Sequence, residues 1–320
     1  SKPNWMLSYF IHLDKSLLRT SHFDEVLLHL EESSPYTFIF FPHYAKYLDV
    51  VPKAYELILK KVYERNLNYH SPLLFQSNIF SDNIDRLGDD IHLIQQSYFQ
   101  QSSFQDHFDV NGQGLLSILK LDRSFLLEYI KSIYDKESNF KPIIGHQLSA
   151  IWEIENIEEE LIRAIELINE NEEYFGIMDH PITVFFNSLE EDYKSRVKKF
   201  ILQYCSDNFS DDTKVSMLVK LVRKIRINMF RDLVLHFLSL TQDVNLFSKI
   251  SWRGSGVVSG SGDTILADVE AAEWKEILSI VEESRIGYKL RPIKNYIDDT
   301  INNCYKRGDW ERMNRFTRNF

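Results

Sequence analysis

DDTKVSMLVKLVRKIRINMFRDLVLHFLSL, residues 211–240, holds two amphipathic helices and the polar joint between them. Asp211–Lys224 is the first and Asn228–Leu240 the second. Their apolar residues recur three and four apart, as on one face of a helix, rather than alternating as in a strand. Segments of the same kind precede them: Leu121–Tyr134, Gln147–Ile154, Ile157–Tyr174, Pro181–Phe186 and Glu190–Tyr204. Asp122 and Asn156 are placed as N-caps. The acids Glu158, Glu159 and Glu160 follow the second, where a helix N-terminus favours negative charge.

From Leu121 to Leu240 the helices pair across short polar joints, with a period of roughly 40 to 47 residues as in HEAT-type units. An amphipathic pair cannot bury its apolar stripe alone and must stack on the next. No strand–helix alternation is visible, which argues against a doubly wound sheet. The expectation is an all-α, irregular helical-repeat fold, a HEAT-like α-solenoid with a C-terminal helical cap.

The N-terminal third is helical by the same criterion. Trp5, Leu7, Phe10, Ile11, Leu13, Leu17 and Leu18 fit one helix, and Ser21 or Asp24 caps a second through Leu30. The aromatic run Tyr36–Phe41 after Pro35 reads as a short buried helix, because no second strand-like run exists to pair with it. Helical spacing resumes over Tyr44–Tyr63 and Asp82–Phe99. Gln100–Gly114 is polar, contains Gly112-Gln113-Gly114, and reads as a connection. Asp263 caps a helix over Thr264–Glu283, Gly287 stops it, Pro292 opens another through Ile301, and Trp310–Phe316 is a last short one. The expected organisation is a helical subdomain at 1–100, a linker at 101–120, the repeat array at 121–250, a Gly/Ser-rich loop at 251–263 and the cap at 264–320.

Composition narrows the function. Of 320 residues, 44% are hydrophobic and 13% aromatic, values of a chain that folds. A net charge of -10 opposes whole-molecule binding to nucleic acid or anionic membrane while leaving room for a local basic face. No apolar run is long enough to span a bilayer. Cys205 and Cys304 are the two cysteines, far apart in sequence, and read as reduced buried thiols of a cytosolic protein. The start at Ser1, without an initiator Met or signal pattern, leads us to expect a piece of a longer protein.

Motifs for catalysis are missing. Four of the 11 glycines fall between Gly254 and Gly262, in a glycine-rich break before a helix. A phosphate-binding loop needs Lys after its last Gly and a buried strand before it. Here Asp263 follows Gly262 and helix precedes, so a loop with a helix cap is the better reading and no cofactor is expected. None of the ten histidines forms His-x-x-x-His, and no Cys-x-x-Cys occurs, so no metal site is expected. Asp106-His107-Phe108-Asp109 resembles a ligand cluster only superficially. Runs such as Glu190-Glu191-Asp192 point in several directions around a helix and mark solvated faces. No catalytic residue is selected, although an unrecognised carboxylate pair would make the chain an enzyme.

Charge segregation is the more informative signal. Between Glu153 and Asp192 Arg163 is the lone base, whereas Lys220, Arg223, Lys224, Arg226 and Arg231 crowd the next helices. Lys220, Arg223 and Lys224 share one helix face. The tail from Arg285 to Arg318 is again basic, with Arg291 and Lys294 near its start. Such a surface suits an acidic protein or, as the alternative, a nucleic acid. The ordinary reading is that acidic and basic helices satisfy one another.

Trp252-Arg253-Gly254-Ser255-Gly256, then Gly262-Asp263-Thr264-Ile265-Leu266-Ala267-Asp268, then Glu273-Trp274-Lys275 together resemble a tail of bacterial STAND-type NTPases. In that family an effector domain and a nucleotide-binding module precede a long α-helical C-terminal region. The helices from Leu121 to Leu240 are similar to that region in type only. The resemblance implies a non-catalytic sensor that recognises a foreign protein, for instance a phage component, and relieves autoinhibition in antiviral defence. The nucleotide-binding motif is absent from these residues, so no ATPase residues carry over. The residues expected to meet a protein partner are Lys220, Arg223, Lys224, Arg231, Trp252, Arg253, Arg291 and Lys294.

Overall fold

The computed structural model describes residues 9, 12–32, 46–54, 57, 91–104, 109, 112–135, 146–170, 182–253 and 266–318. Every regular element among the described residues is helical, so the chain is all-α as the apolar spacing predicts. After a 3-10 turn at Lys15–Leu17 come α1 Thr20–Glu32, α2 Ile91–Phe104, α3 Gln113–Leu121 and α4 Phe125–Tyr134. A 3-10 segment at His146–Glu153 leads into α5 Ile157–Glu170, α6 Thr183–Phe186, α7 Glu191–Asn208 and α8 Asp212–Lys224. Then follow α9 Phe230–Leu240, α10 Val244–Lys249, α11 Leu266–Glu283, a 3-10 turn at Gly287–Leu290 and α12 Arg291–Arg318. No described helix is long and apolar enough to cross a membrane. The chain divides into two compact units, Ser1–Ala164 and Ile165–Phe320.

Within the first unit α3 is the central element. Its residues Gly114 to Leu119 are all buried, so it is apolar around most of its circumference, as a helix enclosed on several sides must be. It packs on α2, on α4 and on the 3-10 segment. Tyr98 of α2 meets Phe125 and Tyr129 of α4 at ring distances of 5.9 and 6.5 Å.

The stretch read as a linker proves to be the built N-terminus of this helix. Residues 101–104 extend α2, and 113–120 form most of α3. Asp109 is 2% exposed and accepts from the Gly114 N–H at 3.0 Å, the Leu115 N–H at 2.9 Å and the Tyr98 hydroxyl at 3.1 Å. It thereby satisfies orphan donors of the first helical turn. Burial pushes its carboxyl above the ordinary range, against the pull of those donors. Gly112 sits at φ +68°, and a Cβ there would lie 2.4 Å from Leu148 Cδ2. Only glycine satisfies both demands.

Other local expectations shift by a turn or less. α1 begins at Thr20, just ahead of both expected caps. The segment expected as Gln147–Ile154 is a 3-10 helix. Asn156 takes a left-handed φ of 55° in the turn before α5. Asp122 accepts from the Ser124 N–H at 3.0 Å in the turn ahead of α4. Asp211, expected as the first residue of its helix, is the N-cap of α8 and accepts from Thr213 and Lys214 N–H at 3.1 and 3.0 Å. The expected Tyr36–Phe41 helix, Asp106 to Phe108, the Gly254–Gly262 loop and the Asp263 cap lie outside the described residues, as do Trp5, Leu7, Phe10 and Ile11 of the first expected helix, whose end is instead a 3-10 turn, Lys15–Leu17, capped by Asp14.

In the second unit α7 packs on α8 and α9, α9 on α11, and α11 on α12. One correction is substantial: the two helices expected after Pro292 are a single α12 of 28 residues. Ile293, Ile297, Ile301 and Cys304 are buried at successive turns, so a single stripe runs along α11. Gly308 continues that stripe, and a Cβ on it would meet Ala267 Cβ at 3.5 Å and Asp268 Oδ1 at 3.3 Å. Its missing side chain lets the two helices approach closely, and this contact holds a residue that ordinarily weakens a helix.

Candidate functional site

α11 and α12 run antiparallel about the Gly287–Leu290 turn, and α10 closes against α12. Between these three helices and the strand-free segment after α10 lies a cleft of about 560 Å³. Its lining includes an aromatic group, Trp252, Trp274 and Tyr296, and a polar group, Arg253, Glu270, Cys304 and Arg307.

The aromatic wall is fixed from below. Trp252 is fully buried, stacks on Phe247 with centroids 4.9 Å apart, and meets Phe237 edge-on at 5.1 Å. Its Nε1 donates to the Phe247 carbonyl at 2.9 Å. Trp274 and Tyr296 meet edge-on at 5.9 Å, and Tyr296 also meets Phe247 at 6.3 Å. Trp252 and Trp274 thus flank one cleft, joined through Phe247 and Tyr296.

The polar wall centres on Glu270. Arg253 Nη1 donates to its Oε1 at 2.6 Å, and Arg307 Nη2 donates to Oε2. The Cys304 thiol also approaches Oε2, at 3.9 Å. Each carboxylate oxygen therefore has its own guanidinium, an arrangement stronger than two neutral hydrogen bonds. The Glu270 side chain is 14% exposed, against 37% for Arg253 and 48% for Arg307, so the guanidinium groups reach solvent. Arg307 Nε also lies 3.9 Å from Glu311. Burial pushes the Cys304 thiol up, against the pull of the Arg253 charge. Cys205, also unpaired and buried, is pushed up to about 12 by burial.

Of the residues singled out by sequence, Trp252 and Arg253 lie in the cleft wall. Arg223 comes to its back: Nη2 donates to the Trp252 carbonyl at 3.2 Å and Nη1 to Glu276 at 2.8 Å. Arg231 clasps Glu283 at 2.6 Å. These arginines tie α8 and α9 to α11, so here acidic and basic helices do satisfy one another. Lys220 and Lys224 share a half-buried face of α8, and burial, then the Lys224 charge, lowers the Lys220 pKa. Arg291 is exposed and Lys294 half-buried in the first turn of α12.

Glu270 and the role of Arg307 were missed. A signal existed: Glu270 with Arg307, and Asp268 with Arg312 at 2.9 Å, lie nearly equidistant from the Gly287–Leu290 turn. Two helices folded back at that turn bring such residues opposite each other. Among the described residues no group of three or more His, Cys, Asp or Glu is placed to hold a metal ion. No protein-family model, curated protein or solved structure matches the chain.

Proposed function

We propose that the chain is a non-catalytic protein-recognition module and that the cleft between α10, α11 and α12 receives part of its protein partner. The observation that supports this most is the composition of the cleft wall. Lys249, Arg253 and Arg307 outweigh Glu270, and Trp274 and Tyr296 stand beside them. Arginine and large aromatic residues are the side chains that carry most binding energy at protein interfaces. A cleft of this size accommodates a few side chains rather than a whole domain.

In the fuller form of this proposal the helices form an irregular HEAT-like array with a C-terminal cap. The chain is then the sensor part of a larger STAND-type antiviral NTPase in the bacterial cytoplasm, with a foreign protein as its partner. Of the residues that carry this resemblance, Trp252, Arg253 and Trp274 line the cleft.

Selection of a displayed random peptide pool against the chain tests the reading. The expected result is enriched peptides whose affinity falls at least roughly tenfold in Arg253→Ala, the loss of one charge-assisted contact. Enrichment of no peptide, together with salt-dependent binding of duplex DNA through Lys220 and Lys224, would replace it with a nucleic-acid module.

A further inference from the structure

We infer that Glu270 is an internal stand-in for a carboxylate of the partner, held between Arg253 and Arg307 until an acidic side chain displaces it. This rests on the protein-recognition reading and names the chemistry that the cleft selects. Glu270 occupies both guanidinium groups at once, Arg253 through Oε1 and Arg307 through Oε2. Two cations therefore converge on one carboxylate, while Lys249 adds a further positive charge to the cleft lining and Glu311 lies 3.9 Å from Arg307 Nε.

A carboxylate from outside reproduces the bonds Glu270 makes, since guanidinium and carboxylate pair in fixed, planar geometry. Phosphate or sulfate would match the charge, but Trp274 and Tyr296 alongside offer apolar and π surface that a bare inorganic anion does not use. The guest is thus an acidic residue flanked by an aromatic or aliphatic one. Displacement frees Glu270 toward Cys304 and solvent, while the guest bridges α12 to Arg253, the last described residue before the glycine-rich stretch.

The test titrates acetyl-Phe-Glu-Phe-amide and acetyl-Phe-Gln-Phe-amide calorimetrically into the wild-type chain, Glu270→Gln and Glu270→Asp. Wild type should prefer the glutamate peptide. Glu270→Gln, whose clamp faces no competing charge, should bind it roughly tenfold tighter than wild type, with the glutamine peptide unchanged. Glu270→Asp keeps the charge but shortens the reach, so it should fall between, and it serves if Glu270→Gln proves unstable. Inorganic phosphate at the same concentration should compete only weakly. Peptides that bind wild type equally well with Glu or Gln, and no tighter to either variant, would overturn the stand-in while leaving protein recognition standing. Failure of every variant to bind either peptide would overturn both.

Discussion

The guanidinium of Arg223 lies 3.4 Å over the ring of Phe230, at the junction of α8 and α9. The same side chain bonds Glu276 and the Trp252 carbonyl, and is only 16% exposed. A planar, delocalised cation stacks on a ring face while its edges donate, which an ammonium cannot do. Arg223→Lys should therefore cost about 2 kcal/mol, nearly as much as Arg223→Ala, because stacking and one of the two bonds are lost. Urea unfolding of the three proteins measures this directly. A charge reversal at Lys220, Arg223 and Lys224 together would confound folding with binding, so tests of the nucleic-acid alternative belong at Lys220 and Lys224.

Trp252 anchors the floor of the cleft, and its two contributions separate by substitution. Trp252→Phe keeps a ring against Phe247 but removes the Nε1 donor to the Phe247 carbonyl, costing about 1 to 2 kcal/mol. Trp252→Ala leaves a cavity against Phe237 and Phe247 and should cost about 3 to 5 kcal/mol. Thermal unfolding of both variants checks the ratio.

At the other end of the chain, Gly112→Ala should destabilise the first unit by more than about 1 kcal/mol, since it combines left-handed strain with a collision at Leu148. Asp109→Asn turns one acceptor of Asp109 into a donor facing a backbone N–H. The loss follows pH. Because the native carboxyl pKa is raised, wild type gains stability relative to Asp109→Asn as pH falls from neutral toward the ordinary carboxylate value. Unfolding midpoints of the pair at several pH values should therefore move further apart in that direction.

The cysteines give a pH prediction of opposite range. With its thiol pushed from 9.0 up to about 12, Cys205 favours the folded state below pH 9, and that contribution is lost between 9 and 12. A thiol reagent at pH 8 should label neither cysteine quickly in the folded chain. Cys304, on the cleft wall, should react before Cys205, and both should react at once in denaturant.

How much of this was legible in the sequence follows from what each signal measures. Helical spacing reports burial along one element, so α7, α8 and α9 emerged with boundaries within a few residues. It is silent on partners across elements, and Glu270 gained its place only once α12 folded back on α11. Polar composition misled at 100–114, because Asp109, Gly112 and Gly114 serve a buried helix start rather than a solvated connection. The two helices expected after Pro292 run on as one across Gly308, whose lack of a side chain serves the close approach to Ala267. Trp252 and Arg253, which line the cleft, stand out in the sequence as a tryptophan and an arginine beside a glycine run. Their neighbours on the cleft wall are ordinary helix residues and do not.

The most direct test of the recognition cleft is the spectrum of the tryptophan indole N–H groups of the ¹⁵N-labelled chain during titration with acetyl-Phe-Glu-Phe-amide. Assignment follows from single Trp→Phe substitutions, and Trp152, buried in the first unit, is the internal reference. The account predicts that the Trp274 signal, and less strongly that of Trp252, shifts with saturation while Trp152 stays still. A shift confined to Trp310, which is 66% exposed on α12 away from the cleft wall, or no shift at Trp274, would contradict it.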